Sequence, residues 1–316
     1  MFADYKVGES DIQNKYAYTH IYQFRVAAND DVIQGALKKG YLFEKYNNMI
    51  ACSLIKPGDN VIDVGANIGT MTVPFARSVG PEGKVFSFEP FPRTRGYLIH
   101  NVKTNDAKNV RVYATAVGHM ITDTSLSNNI TNIERFKGQF SGKKGNSVMI
   151  GDKKMGSKTL PLDTKHTTNF GGIRLGMGGP KVKMVTLDSI KFPHIHFLKV
   201  DVEGAEPLVF YGGQNTIRKY KPIIMFEYNW VTLTDEVQSA VPKKIQQFDI
   251  FKFCRSLGYD TIIESDREDY IIIPSGRKRT FNDPMVVWKR VNRLPALKNF
   301  DISGFSLFKF QIPKWT

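Results

Sequence analysis

Val61-Ile-Asp-Val-Gly-Ala-Asn-Ile-Gly-Thr70 is the stretch whose reading decides the fold. Val61 to Val64 is a β-branched run interrupted only by an acid, the pattern of a short strand buried on both faces. Gly65 and Gly69 follow at once, and Met71 to Ser78 reads as a helix opening against that strand. A strand, a glycine turn and a helix bring backbone and a helix N-terminus close to a ligand. A dinucleotide fingerprint would need G-x-G-x-x-G, but Asn67 and Thr70 stand where its second and third glycines belong. The spacing therefore disfavours a pyrophosphate cradle.

What remains, Asp63, Gly65 and Gly69 in Asp-x-Gly-x-x-x-Gly, resembles the first motif of the class I S-adenosylmethionine-dependent methyltransferases. The resemblance implies contacts to the cofactor from Asp63, Gly65, Ala66, Asn67, Gly69 and Thr70. The methionine end of that cofactor carries an ammonium and a carboxylate, which suit a strand-end acid and exposed backbone amides. The alternative is a glycine turn that only tightens strand-to-helix packing.

Outward from this core, Pro57-Gly58-Asp59 separates the strand from a predicted helix over Ala36 to Ile55, weakened at Gly40. Tyr41 and Glu44 fall on that helix, which in related enzymes covers the methionine end of the cofactor. Lys84 to Glu89 alternates apolar and polar and ends on an acid before Pro90. Glu89 lies 20 residues past Gly69, where a doubly wound fold places a carboxylate for a ribose. Two acceptor oxygens match two vicinal hydroxyls. Val110 to Val117 reads as the third strand, with Ala116 and Val117 beside the adenine.

Further strands are expected at 196–202, 222–228, 261–264 and 270–273, the last two paired as a hairpin, with Val182 to Leu187 as another strand outside the core count. With 61–64, 84–89 and 110–117 this gives seven core strands. The β-α alternation predicts an α/β, doubly wound, Rossmann-like seven-stranded sheet whose last strand is antiparallel.

Val61 to Gly69, Phe88-Glu-Pro90, Val185-Thr-Leu-Asp188, Lys199-Val-Asp-Val-Glu-Gly-Ala-Glu206 and the strand ending in Glu227 occur in the order seen in the FkbM family, which the chain resembles over roughly residues 40–275. The resemblance implies a class I methyltransferase fold, S-adenosyl-L-methionine as methyl donor and a hydroxyl acceptor, which in that family is commonly on a sugar or polyketide. It divides the chain into an N-terminal segment with a cofactor-covering helix (1–50), a methyltransferase domain (51–275) containing a basic insert (128–183), and an extension (276–316).

A sulfonium is already a good leaving group, so the protein mainly has to align the reactants and exclude water. A sugar hydroxyl, with a pKa of roughly 15 to 16, needs help in losing its proton. Asp201, Glu203 and Glu227 fall at or just beyond strand carboxyl ends, where open α/β sheets bind ligands, and are the candidate catalytic carboxylates. Asp201 and Glu203 share a side if the strand continues that far, and Asp201 also faces the cofactor. Glu206, beside Pro207, reads as a first-turn helix acid. No His-Cys pattern suggests zinc. Asp201 and Glu227 leave room for a hard divalent cation such as magnesium, but no metal ligand is assigned.

The whole chain has 316 residues and a net charge of +14, so an anionic glycan, a phosphorylated substrate or nucleic acid are open as partners. The insert is dense in Gly, Ser, Asn and Lys, and eleven Lys or Arg stand against three acids between Glu134 and Lys183. The extension from Arg277 carries nine Lys or Arg and two acids, with Phe and Trp interleaved. Two cysteines, Cys52 and Cys254, in helical segments, no apolar run of membrane-spanning length and no hydrophobic leader predict a cytoplasmic protein. The leading expectation is an O-methyltransferase for a sugar or glycosylated hydroxyl. An RNA ribose or cap 2′-O-methyltransferase is the alternative, although Lys199 sits mid-strand and completes no lysine-aspartate-lysine-glutamate tetrad. A non-catalytic binding module is the third.

Overall fold

The structure, a computed structural model, describes residues 2–10, 18–27, 30–127, 175, 178–228, 240–265, 269–277 and 287–311. Most of the basic insert, including Ser147 to Ile150, lies outside the described residues. Among the described residues no helix is long and apolar enough to cross a membrane.

The strands in chain order are β1 (Phe2–Ser10), β2 (Tyr18–Ala27), β3 (Asn60–Val64), β4 (Lys84–Phe88), β5 (Val110–Tyr113), β6 (Thr115–Val117), β7 (Thr122–Ser127), β8 (Gly178–Val185), β9 (Phe197–Val200), β10 (Ile223–Glu227), β11 (Tyr259–Glu264), β12 (Asp269–Pro274), β13 (Val287–Val291) and β14 (Ser306–Gln311). The main sheet has nine strands in the order β5-β4-β3-β9-β10-β12-β11-β14-β13. β5, β4, β3, β9 and β10 run parallel, and β12 inserts antiparallel between β10 and β11.

The expected count of seven is thus corrected to nine. The two added strands come from the basic extension: β14 pairs parallel with β11, and β13 closes the edge antiparallel to β14. Alternation in Ser306–Gln311 gives it an apolar face, and Leu307 and Phe308 pack on opposite sides of the sheet. The expected strand 110–117 is also two strands. β6 leaves the main sheet at Ala114 and joins β8 and β7 in a three-stranded sheet, which also takes up the predicted strand at 182–187.

Period-two alternation explains why the central strands are buried on both faces. Val61, Phe197, Met225 and Ile263 pack with α2 (Lys45–Leu54) and α3 (Thr72–Val79). Ile62, Val64, Leu198, Val200, Ile224 and Ile262 pack on the other side with α5 (Glu206–Gly212), α6 (Gln214–Tyr220) and α8 (Ile250–Ser256). The remaining α-helices among the described residues are α1 (Asp31–Leu37), α4 (Pro92–Thr104) and the short α7 (Lys243–Gln246). Asp188 caps α6: its carboxylate accepts from Asn215 N, Thr216 N and Thr216 Oγ1 at 2.8–3.0 Å.

The single helix predicted over Ala36 to Ile55 is two, α1 and α2. The chain breaks where Gly40 and Glu44 take left-handed backbone, at φ 77° and 52°. The β1–β2 hairpin, absent from the sequence-based reading, docks on α4 through Asn101. Its amide oxygen accepts from Arg25 N at 2.7 Å, and its amide nitrogen donates to Arg25 O and Ile68 O at 3.0 and 2.8 Å. This one buried side chain therefore links the N-terminal hairpin to the glycine turn.

Candidate active site

The chain crosses from β3 outward to β4 and β5, then returns to the other side of β3 as β9. This reversal opens a crevice at the carboxyl ends of β3 and β9, the position where open α/β sheets bind ligands. Its floor is Gly65. Gly65 has φ +79°, and a Cβ there would lie 1.7 Å from the Asp201 carbonyl oxygen. Only glycine lets the turn pass the end of β9.

The turn's own amides are engaged. Gly65 N and Ala66 N both donate to Phe88 O at 3.0 Å, Asn67 N donates to Glu89 Oε2 at 2.8 Å, and Gly69 N donates to Ala66 O at 2.8 Å. The expected exposed amides are thus internal bonds that shape the loop. Gly65 and Asn67 lie on the cavity wall, whereas Asp63, Ala66, Gly69 and Thr70 stand behind it. Asp63 is fully buried and accepts from Thr72 Oγ1 at 2.5 Å, holding the first turn of α3. Gly69 has φ +91° and lets the turn pass close to Leu98.

Glu89 is on the wall beyond β4 and is only 7% exposed. Its Oε1 accepts from Phe91 N and its Oε2 from Asn67 N, both at 2.8 Å. Burial pushes its carboxyl up to about 7 despite these bonds, which act the other way. Pro90, Phe91, Ala116 and Val117 extend the wall as an apolar slot, joined by Thr115 and Leu175. Two acceptors here are buried without a hydrogen-bond partner among the described residues: Asn67 Oδ1 and Thr115 Oγ1. Such orphans are costly unless a ligand or water meets them, so the cavity is shaped for a molecule with an apolar plane and polar edges.

The opposite end is acidic. Asp201, Glu203 and Glu227 all line it, each presenting a carboxylate oxygen within 4.8 Å of the others. β9 ends at Val200, so Glu203 does not reach the cavity by strand alternation as expected. It is turned inward by left-handed backbone at Glu203 (φ 56°) and Gly204 (φ 96°). Glu206 fixes this turn from behind: its Oε1 accepts from Val202 N at 3.0 Å and Gly204 N at 3.3 Å. Burial pushes Glu206 up to about 7. Burial, then Asp201, Glu203, Asp269 and Glu206, hold the Glu227 carboxyl well above the usual carboxylate range. The three oxygens are spaced as a hard cation would accept them, but the ammonium of Lys199 already lies 3.1 Å from Asp201 Oδ2. No histidine is on the described wall.

The remaining wall is N-terminal: Val32 and Ile33 of α1, then Phe43 and Glu44 before α2. Glu44 reaches the cavity as expected from its place before the key strand, whereas Tyr41 is 43% exposed and off the wall. Val32, Ile33, Phe43, Thr115 and Lys199 were not among the sequence-based candidates. The signal for Lys199 was present, a lone charge inside an apolar strand, which a buried position must pair.

A sequence profile described as Methyltransferase FkbM domain matches residues 63–261, more than half of the chain. An arsenite methyltransferase of Halobacterium salinarum is 33% identical over 86 residues, which is 27% of this chain and 22% of that one. An FkbM methyltransferase structure from Methylobacillus flagellatus is 16% identical with a TM-score of 0.40, over 72% of this chain and 49% of that chain. Aeropyrum pernix fibrillarin, solved with S-adenosyl-L-methionine bound, is 13% identical with a TM-score of 0.36, over 80% and 88%. The chain spans about a fifth of the first relative and about half of the second.

Proposed function

This chain belongs to the FkbM methyltransferase family, and on that premise we propose that it is an S-adenosylmethionine-dependent O-methyltransferase acting on a hydroxyl of a sugar or glycosylated acceptor. The observation that carries the reading is the polarity of one cavity: Glu89 beside an apolar slot at one end, and Asp201, Glu203 and Glu227 at the other.

The residues present fit the cofactor. Glu89 already meets the amides of Asn67 and Phe91 and the Thr94 hydroxyl, and its remaining acceptor capacity is offered to the ribose hydroxyls. The slot of Pro90, Phe91, Ala116 and Val117 suits the flat adenine, with Thr115 Oγ1 able to meet its polar edge. Asn67 Oδ1 faces the sugar side, and Asp201 with Glu44 offers negative charge to the methionine ammonium. When bound, the cofactor supplies an electrophilic methyl on a sulfonium. The protein's part is to hold the acceptor oxygen in line with it, keep water out and take the hydroxyl proton. Glu227 takes that proton, since an acid held above the usual range is a stronger base once ionised. Asp201 and Glu203 accept hydrogen bonds from the acceptor and orient it. A carboxylate base suits a hydroxyl, which must lose its proton as the new bond forms. The cationic remainder of the chain leaves an anionic glycan as a suitable acceptor.

The test is methyl transfer followed by mass spectrometry across a panel of neutral and anionic sugars, glycosylated acceptors and RNA. A product carrying one added methyl on a sugar hydroxyl is expected. Methylated RNA with unmodified sugars would overturn the acceptor assignment. No melting shift with saturating S-adenosylhomocysteine would overturn the cofactor assignment.

A further inference from the structure

Lys199 is 5% exposed, on β9 between the parallel strands β3 and β10. The register of β3 and β9 places it directly opposite Asp63, and Asp201 follows two residues on, beside the same face. Its ammonium has three N–H donors and three oxygens around it. It donates to Gly65 O at 2.9 Å and lies 3.1 Å from Asp201 Oδ2 and 3.5 Å from Asp63 Oδ1. Burial opposes the charge, but Asp201, Asp63 and then Glu44 outweigh it and hold the ammonium protonated.

The consequence lies in what these three oxygens belong to. Gly65 O is part of the turn that floors the cofactor end, and its neighbouring amides are fixed on Phe88 O. Asp63 holds α3 through Thr72. Asp201 stands at the acidic end with Glu203 and Glu227.

We propose, resting on the cofactor reading above, that Lys199 is a positioning residue whose ammonium locks the glycine turn of the cofactor end to Asp201 of the acceptor end. The two halves of the cavity are thereby set in one geometry, and Asp201 serves as an oriented counter-charge while Glu227 takes the proton. The lysine itself touches neither cofactor nor acceptor.

A double-mutant cycle tests this on the full chain: wild type, Lys199→Gln, Asp201→Asn and the double variant, each read by S-adenosylhomocysteine affinity in calorimetry and by ligand-free melting temperature. Glutamine keeps an N–H for Gly65 O but carries no charge. Lys199→Gln alone is expected to weaken S-adenosylhomocysteine binding about tenfold or more and to lower the melting temperature. In the Asp201→Asn background the same change should weaken binding at least fivefold less, because a carboxylate has gone together with its counter-charge. A lysine stem that only fills space would give equal losses in both backgrounds, and that result, or wild-type affinity in Lys199→Gln, overturns the proposal. Should Lys199→Gln fail to fold, recovery of soluble protein in the double variant supports the coupling, and failure of the double as well overturns it. If wild type does not bind S-adenosylhomocysteine, the cofactor reading falls. The ligand-free melting cycle then still decides whether Lys199 and Asp201 are coupled.

Discussion

Glu89 gives the sharpest prediction, because its geometry and its proton affinity point at the same measurement. Its carboxylate accepts two backbone N–H groups at 2.8 Å and is also hydrogen-bonded by the Thr94 hydroxyl, so little acceptor capacity is left for a ribose. Protonation would turn one oxygen into a donor and remove a position that a ribose hydroxyl needs. With the carboxyl at about 7 in the free protein, the ionised fraction is about a tenth at pH 6 and about nine tenths at pH 8. Affinity for S-adenosylhomocysteine should therefore rise about tenfold from pH 6 to pH 8, or ~1.4 kcal/mol. Binding near pH 7 should release a fraction of a proton, seen as a dependence of the calorimetric enthalpy on buffer ionisation heat. Glu89→Gln should bind about a hundredfold more weakly at pH 8, since it loses two charge-assisted bonds and turns an N–H toward a backbone N–H. It should also lose most of the pH slope. Wild-type affinity that stays flat between pH 6 and pH 8, or an unchanged slope in Glu89→Gln, would refute the reasoning.

Other perturbations follow from the same contacts. Gly65→Ala puts a methyl 1.7 Å from the Asp201 carbonyl at φ +79°, and should destabilise the protein by about 3 kcal/mol or more in urea unfolding; an unchanged midpoint would contradict the turn geometry. Asn101→Ala removes the link between Arg25 and Ile68, so a loss of about 2–3 kcal/mol is expected, with weaker S-adenosylhomocysteine binding; unaltered binding would show that the hairpin and the glycine turn are independent. Glu206 has a folded-state pKa raised to about 7, above the ordinary value of 4.5, so its ionisation disfavours the folded state increasingly as pH rises between those two values. Glu206→Gln should accordingly gain in unfolding free energy relative to wild type from pH 5 to pH 8, by up to about 3 kcal/mol, and a constant difference across that range would count against it. Glu227→Gln should lower the rate of methyl transfer by about 10²–10⁴-fold while leaving S-adenosylhomocysteine affinity within about threefold; equal losses in both would place Glu227 in binding alone.

The glycine turn, the acid closing β4 and the acids after β9 and β10 were legible because each is a local property. A β-branched run, a residue that tolerates positive φ and a period of two are written in consecutive positions. Glu44, Glu89, Ala116, Val117, Asp201, Glu203 and Glu227 all reach the wall from such local readings. Glu203 does so by a different route, since backbone at φ 56° rather than strand alternation turns it inward. The two strands of the extension were not legible for a physical reason: interleaved Lys and Phe suit a segment packed on the domain in several forms, and only β11 as a pairing partner selects the strand.

By itself, then, the sequence determined the chain order of the main-sheet strands from β3 to β12, the position of the crevice and the acids offered to it. Tertiary structure alone decided which of these face the cavity. Register sets Asp63 against Lys199 and takes it off the wall; the Phe88 carbonyl claims the amides of the turn; α1 and the segment before α2 supply a wall with no motif of its own. Side-chain type and spacing fix what a residue can do. Burial and partner are set by residues distant in the chain, and those decide whether the group meets a ligand or holds the fold.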